Sequence, residues 1–119
     1  MASDDGALTY HRLPSFVKVF SAVRNMDELR LPPEWVALHG GDLPFQCKLV
    51  MSNGTRWTVR NLRIASGCHF HVGWPEFRRD IELEHGDKLT FTLVDVGTFH
   101  VKRYKTGPAG HEGVISNIG

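Results

Sequence analysis

The chain has 119 residues, room for one domain and a modest core but not for a second lobe holding a cofactor. Its apolar share of 41% and charged share of 23% are ordinary for a globular protein, and no apolar run reaches the length of a membrane span. A net charge of +1 excludes a basic polyelectrolyte, so any positive surface must come from how the charges are arranged.

That arrangement is uneven. Residues 43–75 contain no Asp or Glu, while Lys48, Arg56, Arg60 and Arg63 fall inside the window. Over residues 76–95 the balance reverses, with Glu76, Asp80, Glu82, Glu84, Asp87 and Asp95 against Arg78, Arg79 and Lys88. The asymmetry implies one positive face. The opening Met1-Ala2-Ser3-Asp4-Asp5 has neither the cationic start nor the apolar segment of a secretory signal, which leads to the expectation of a cytosolic or nuclear home.

Taken in order, residues 1–14 are polar and aperiodic and read as an N-terminal arm. Residues 15–20 read as a strand, aromatic and β-branched, with Lys18 between Phe16 and Phe20. Residues 21–30 are a polar loop, with Leu29 and Leu31 starting a second short strand. Pro32-Pro33 stops the extended chain. A two-turn helix over residues 33–39 follows, with Trp35 and Leu38 on its inward face and Gly40-Gly41 at its end. Residues 45–51 alternate, placing Phe45, Cys47, Leu49 and Met51 inward. Asn53-Gly54 then signals a hairpin turn. The next strand turns Trp57 and Val59 inward and Arg56, Thr58 and Arg60 outward. Its phase breaks at Asn61-Leu62, which predicts a bulge or the strand's end, followed by a loop over residues 61–67. Residues 68–72 alternate again, with Cys68, Phe70 and Val72 inward and His69 and His71 outward. Gly73-Trp74 opens a short helix, and Gly86 marks a positive-φ corner in the connector beyond it. A last hairpin over residues 88–104 puts Leu89, Phe91, Leu93, Phe99 and Val101 inward. Residues 106–119 read as a Gly-rich C-terminal tail.

The sum is about seven short strands and two short helices without βαβ alternation. That is a mostly β protein, a small antiparallel barrel or sandwich with helices closing its ends. Cys47 and Cys68 sit among apolar neighbours and read as buried free thiols. Alternation sends Cys68 to the opposite face from His69 and His71, so no metal site is expected. There is no nucleophile–base set and no Gly-rich nucleotide loop, so neither an enzyme nor a cofactor is expected. Trp35, Trp57, Trp74 and Phe77 read as core rather than as base-stacking platforms.

Several short pieces, in this order and spacing, form a pattern: Phe16-x-Lys18-Val19, Leu31-Pro32, Trp57-x-Val59, Gly73-Trp74-x-x-Phe77 and Leu83-x-x-Gly86-Asp87-x-Leu89-x-Phe91. With it, residues 15–105 resemble the plant-specific B3 DNA-binding domain, in its reproductive-meristem branch. The resemblance implies a seven-stranded open β-barrel, a DNA-binding pseudobarrel with two short α-helices. Such a domain grips the major groove with one arm after the first strand and another between the fourth and fifth.

Carried over by position, the first arm is residues 21–30 and holds Arg24, Asn25 and Arg30; the second is residues 61–67 and holds Asn61, Arg63 and Ser66. The second arm has one arginine and an apolar tip, Ile64-Ala65, and the first carries Asp27-Glu28. The chemistry agrees: an arginine fork meets guanine O6 and N7 bidentately, and an asparagine pairs similarly with adenine. Base contact is therefore expected of Arg24, Asn25, Arg30, Asn61, Arg63 and Ser66. Phosphate contact is expected of Lys18, Arg56, Arg60 and His69; Arg56 and Arg60 leave one strand face about 13–14 Å apart, too far to read one base pair. The expected partners are double-stranded DNA and other transcription regulators, in the nucleus, with no membrane and no small-molecule substrate. The alternative is a protein-interaction barrel with weak or non-specific DNA binding, using the acidic residues 76–87.

Overall fold

Alternation along the strands and glycines at the corners fold residues 13–106 and 112–114, the part described by the computed structural model. In chain order the elements are β1 (Ser15–Val19), β2 (Leu29–Arg30), α1 (Pro33–His39), a 3-10 turn (Gly40–Asp42), β3 (Gln46–Val50), β4 (Arg56–Ile64), β5 (Gly67–Phe70), α2 (Trp74–Asp80), β6 (Lys88–Asp95), β7 (Thr98–Thr106) and β8 (Glu112–Val114). Seven strands form a curled path, β1-β6-β7-β3-β4-β5-β2, in which only β3 and β7 run parallel. β8 pairs with β7 off this path, inside the segment expected as a tail. The remaining residues of the two expected terminal arms, 1–12, 107–111 and 115–119, lie outside the described residues.

β1 and β2 stand at the two ends of the path, so the barrel is open between them. Inside, Phe16 stacks on Phe91 at 4.9 Å, and Phe99 meets Phe70 edge-on at 5.5 Å. α1 closes this side through Trp35, 5.0 Å from Phe16. α2 closes the other through the fully buried Trp74 and Phe77, with Trp57 edge-on to Phe77 at 5.0 Å. The Trp57 indole donates to Asp80 Oδ2 at 2.8 Å, tying β4 to the end of α2.

The strand faces correct several expectations. β4 has no break at Asn61: it runs nine residues and changes partner instead, pairing with β3 through Arg60 and with β5 from Asn61 onward. Asn61 is therefore a buried strand residue, 4% exposed, and the arm beyond it is a hairpin turned by Ala65-Ser66. Phe45 precedes β3 and lies outside, 60% exposed, with the Arg60 guanidinium over its ring. Leu38 faces solvent because α1 is short and meets the core through Trp35 and, in part, Val36. Val72 is exposed because β5 ends at Phe70. His69 is 5% exposed rather than outward, since Glu28 and Ser66 cover the outer face of β5.

Cys47 and Cys68 are buried free thiols. Burial, with Cys68 beside it and Arg63 opposing, pushes the Cys47 thiol up to about 11. Because the folded pKa lies above the unfolded one, this group's contribution to stability is present below about pH 9 and is lost as pH rises towards 11. At pH 8 only roughly a thousandth of Cys47 is thiolate, so a disulfide reagent is expected to label neither cysteine until the protein unfolds. Prompt labelling of the folded protein contradicts this.

Candidate nucleic-acid interface

Residues 21–28 link β1 to β2 and fold on themselves. Ser21 Oγ accepts from the backbone N–H of Val23 and Arg24 at 3.2 and 3.1 Å. Asn25 Oδ1 accepts from Ser21 N–H at 2.9 Å, and Asn25 N–H donates back to the Ser21 carbonyl at 2.8 Å. These local bonds give the loop a fixed course without regular structure. Three side chains from elsewhere then seat it. The Trp74 indole donates to the Asn25 carbonyl at 2.7 Å, Arg78 Nε to the Met26 carbonyl at 2.7 Å, and His85 Nδ1 accepts from Ala22 N–H at 3.1 Å.

The second loop is the β4–β5 hairpin, with Ile64 opposite Gly67 in register. Gly67 has φ of +126°, a conformation open to glycine. Ser66 Oγ lies 3.0 Å from His69 Nε2, and His69 Nδ1 lies 3.5 Å from Glu28 Oε2. Glu28 Oε1 is 4.0 Å from His71 Nε2. One carboxylate from the first loop thus faces both histidines of the segment that carries the second.

Between the loops lies the open seam. Lys18 falls between the buried Phe16 and Phe20 on its strand face and is half-buried. Burial, and then the Arg30 charge, hold its ammonium below the usual lysine range, with Glu34 opposing. The Arg30 charge thus reaches Lys18 although β1 and β2 stand at opposite ends of the sheet path. The Arg30 guanidinium also passes close to Gly67, where a Cβ would meet its Nε at 3.5 Å. Arg30 therefore lies beside the second loop.

The expected site residues divide. Lys18 and Arg30 lie on the two strands that bound the seam, and Arg24 is exposed on the first loop. Arg60 is exposed on the outer face of β4, flattened on Phe45 with 5.2 Å from its guanidinium carbon to the ring centre. Arg56 is exposed at the far end of β4, about 30 Å along the strand from the hairpin turn. Asn25, Arg63 and Ser66 spend polar atoms internally: Arg63 Nη2 donates to the Gly40 carbonyl at 2.8 Å. Asn61 and His69 are buried. Sequence reasoning missed the seating of the first loop by Arg78 and Trp74, and the Glu28–His69–Ser66 chain. No local pattern signals the contacts of Trp74, Arg78 and Glu28, whose partners lie about 40 to 50 positions away. No group of three or more His, Cys, Asp or Glu converges as a metal cluster among the described residues.

An open, curled β-sheet closed by two short helices, with two ordered loops beside its opening, defines a small open-barrel class of fold. A family model, the B3 DNA binding domain, matches residues 16–106, and the chain belongs to that family. It is 33% identical over 88 residues to the B3 domain-containing protein REM20 of Arabidopsis thaliana, covering 74% of this chain and 31% of that one. It is 27% identical over 95 residues to the B3 domain-containing protein REM21 of the same plant, covering 80% of this chain and 29% of that one. Among solved structures, the hypothetical Arabidopsis thaliana protein At1g16640.1 is similar with a TM-score of 0.69 and 29% identity, over 76% of this chain and 88% of that one. The REM names fit the expected reproductive-meristem branch. The chain spans about a third of the length of the first curated relatives it matches, 31% and 38%. The family is a DNA-binding module of plant proteins.

Proposed function

We propose that this domain binds duplex DNA through the major groove as part of a nuclear transcription regulator, with the loop of residues 21–28 and the β4–β5 hairpin straddling the groove. One observation carries the reading: the sheet is open between β1 and β2, where the half-buried Lys18 and the exposed Arg30 stand beside two ordered loops. A phosphate near these two cations would add to the favourable charge that Glu34 already gives Lys18 and release the counterions of the duplex. Arg24 on the first loop and Arg60 on the outer face of β4 supply further exposed cations, with Arg24 the arginine best placed for base edges. Arg56, far along β4, acts as a distant charge rather than a contact.

The interaction-barrel reading draws less support. Part of its acidic surface is engaged within the domain: Asp87 is buried against Arg103, and Asp80 accepts from Trp57.

The test is the salt dependence of binding to random-sequence duplex. Lys18→Gln and Arg30→Gln are each expected to weaken binding and to reduce the salt slope by about one, the signature of a lost phosphate contact. Arg56→Gln is expected to change the slope by less. Unchanged slopes at Lys18 and Arg30 would refute the assignment.

A further inference from the structure

Both loops present apolar tips. Val23 is 87% exposed at the turn of the first loop, and Ile64 is 51% exposed at the end of β4, next to the exposed Ala65. Turn positions favour Gly, Asn, Asp, Pro and Ser, so Val23 runs against local turn chemistry, whereas Ile64 ends β4 with its side chain left in solvent. Neither side chain serves the core. Both are rigidly mounted: Val23 through its own N–H bond to Ser21 Oγ at 3.2 Å, Ile64 through its ladder position opposite Gly67.

The polar groups expected to read bases from these loops are in part turned inward. Asn61 is buried, Ser66 Oγ is held by His69, Arg63 reaches back to Gly40, and Asn25 Oδ1 holds the Ser21 amide. In the major groove an exposed aliphatic group has one natural partner, the C5 methyl of thymine.

We propose that Val23 and Ile64 are specificity-determining residues that contact thymine methyl groups, so that the domain favours thymine-bearing sites through apolar contact. This rests on the DNA-binding reading. Cations at the seam supply affinity, and the two aliphatic tips supply part of the selectivity.

The experiment compares two pools of random-sequence duplex, one with thymine and one with every thymine replaced by uracil, which removes only the methyl. Fluorescence anisotropy on the wild type is expected to show weaker binding to the uracil pool, by about fourfold for each methyl contacted, the factor that follows from burying one such group. The Val23→Ser/Ile64→Ser variant removes every side-chain methyl from both tips. Its ratio between pools is expected to fall towards one, while its salt slope stays that of the wild type. Equal wild-type binding to both pools overturns the proposal while leaving DNA binding intact. So does a uracil penalty that persists in the variant, because methyl-dependent duplex shape would then be the cause. Absence of binding to either pool removes the DNA-binding reading and this proposal with it.

Discussion

Replacing Arg103 by methionine is expected to destabilise the domain by about 3–5 kcal/mol, the cost of stranding one member of a buried ion pair. Arg103 and Asp87 are both buried, at 7% and 3% exposure. Arg103 Nε and Nη2 donate to Asp87 Oδ2 at 3.1 and 2.8 Å. Its fork also reaches the backbone of the connector between α2 and β6, donating from Nη1 to the Ile81 carbonyl and from Nη2 to the Glu82 carbonyl at 2.7 Å. Glu82 has φ of +55°, a left-handed conformation that costs a non-glycine residue about 1–2 kcal/mol. Arg103 thus holds a strained turn as well as a charge. The same connector anchors the end of β1: Phe20 N–H donates to the Asp87 carbonyl and Gly86 N–H to the Phe20 carbonyl, both at 2.8 Å. Loss of Arg103 therefore loosens the base of the first loop too. Urea unfolding measures the effect as a fall in midpoint. The Arg103→Met/Asp87→Leu double variant is expected to recover much of the loss, since removing both charges leaves neither unpaired. A midpoint for Arg103→Met within experimental error of the wild type contradicts the clamp.

The second large effect is expected at Gly73, which precedes α2. Its φ is +95°, and a Cβ built there stands 2.1 Å from the Thr58 carbonyl oxygen and 3.0 Å from Val59 Cα. Both obstacles are β4 backbone, which cannot swing aside as a side chain would. Gly73→Ala is expected to cost about 1–2 kcal/mol for the backbone conformation and a further ~1–3 kcal/mol for overpacking. Against a total stability of about 5–15 kcal/mol, that leaves a marginal fold. The site feels it as well, because α2 carries Trp74 and Arg78, which seat the first loop. Thermal unfolding should show a midpoint lowered by several degrees or more. An unchanged midpoint would mean that α2 shifts away from β4 without cost, contrary to this packing.

The fold was largely legible because its signals are local. Asn53-Gly54 turns a hairpin with Gly54 at φ +89°, Gly86 sits at φ +92°, and Leu89, Phe91, Phe99 and Val101 all reach the core. The errors have physical causes. Alternation assumes that one face of a strand is wet, and β5 violates it because Glu28 and Ser66 cover His69. A change of phase looks like a strand's end, yet β4 continues by passing from one partner strand to another at Asn61. Of the candidate site, the cations at Lys18, Arg24, Arg30 and Arg60 were legible as charges in exposed or loop positions. Which of them act on one another was not, because Lys18 and Arg30 sit on β1 and β2, at the two ends of the sheet path. The inward turn of Asn25, Arg63 and Ser66 was equally hidden, since each bonds to a partner that the sequence alone does not place beside it.

The central claim is that the seam and its two loops hold duplex DNA. The most direct measurement is fluorescence anisotropy of a labelled random-sequence duplex titrated with the wild-type domain from about 50 to about 200 mM salt. The account predicts a Kd of about 10⁻⁴–10⁻⁶ M at physiological salt, tightening steeply as salt falls, with a slope set by the phosphates neutralised at and around the seam. No detectable binding at the lowest salt, or an affinity indifferent to salt, would contradict it.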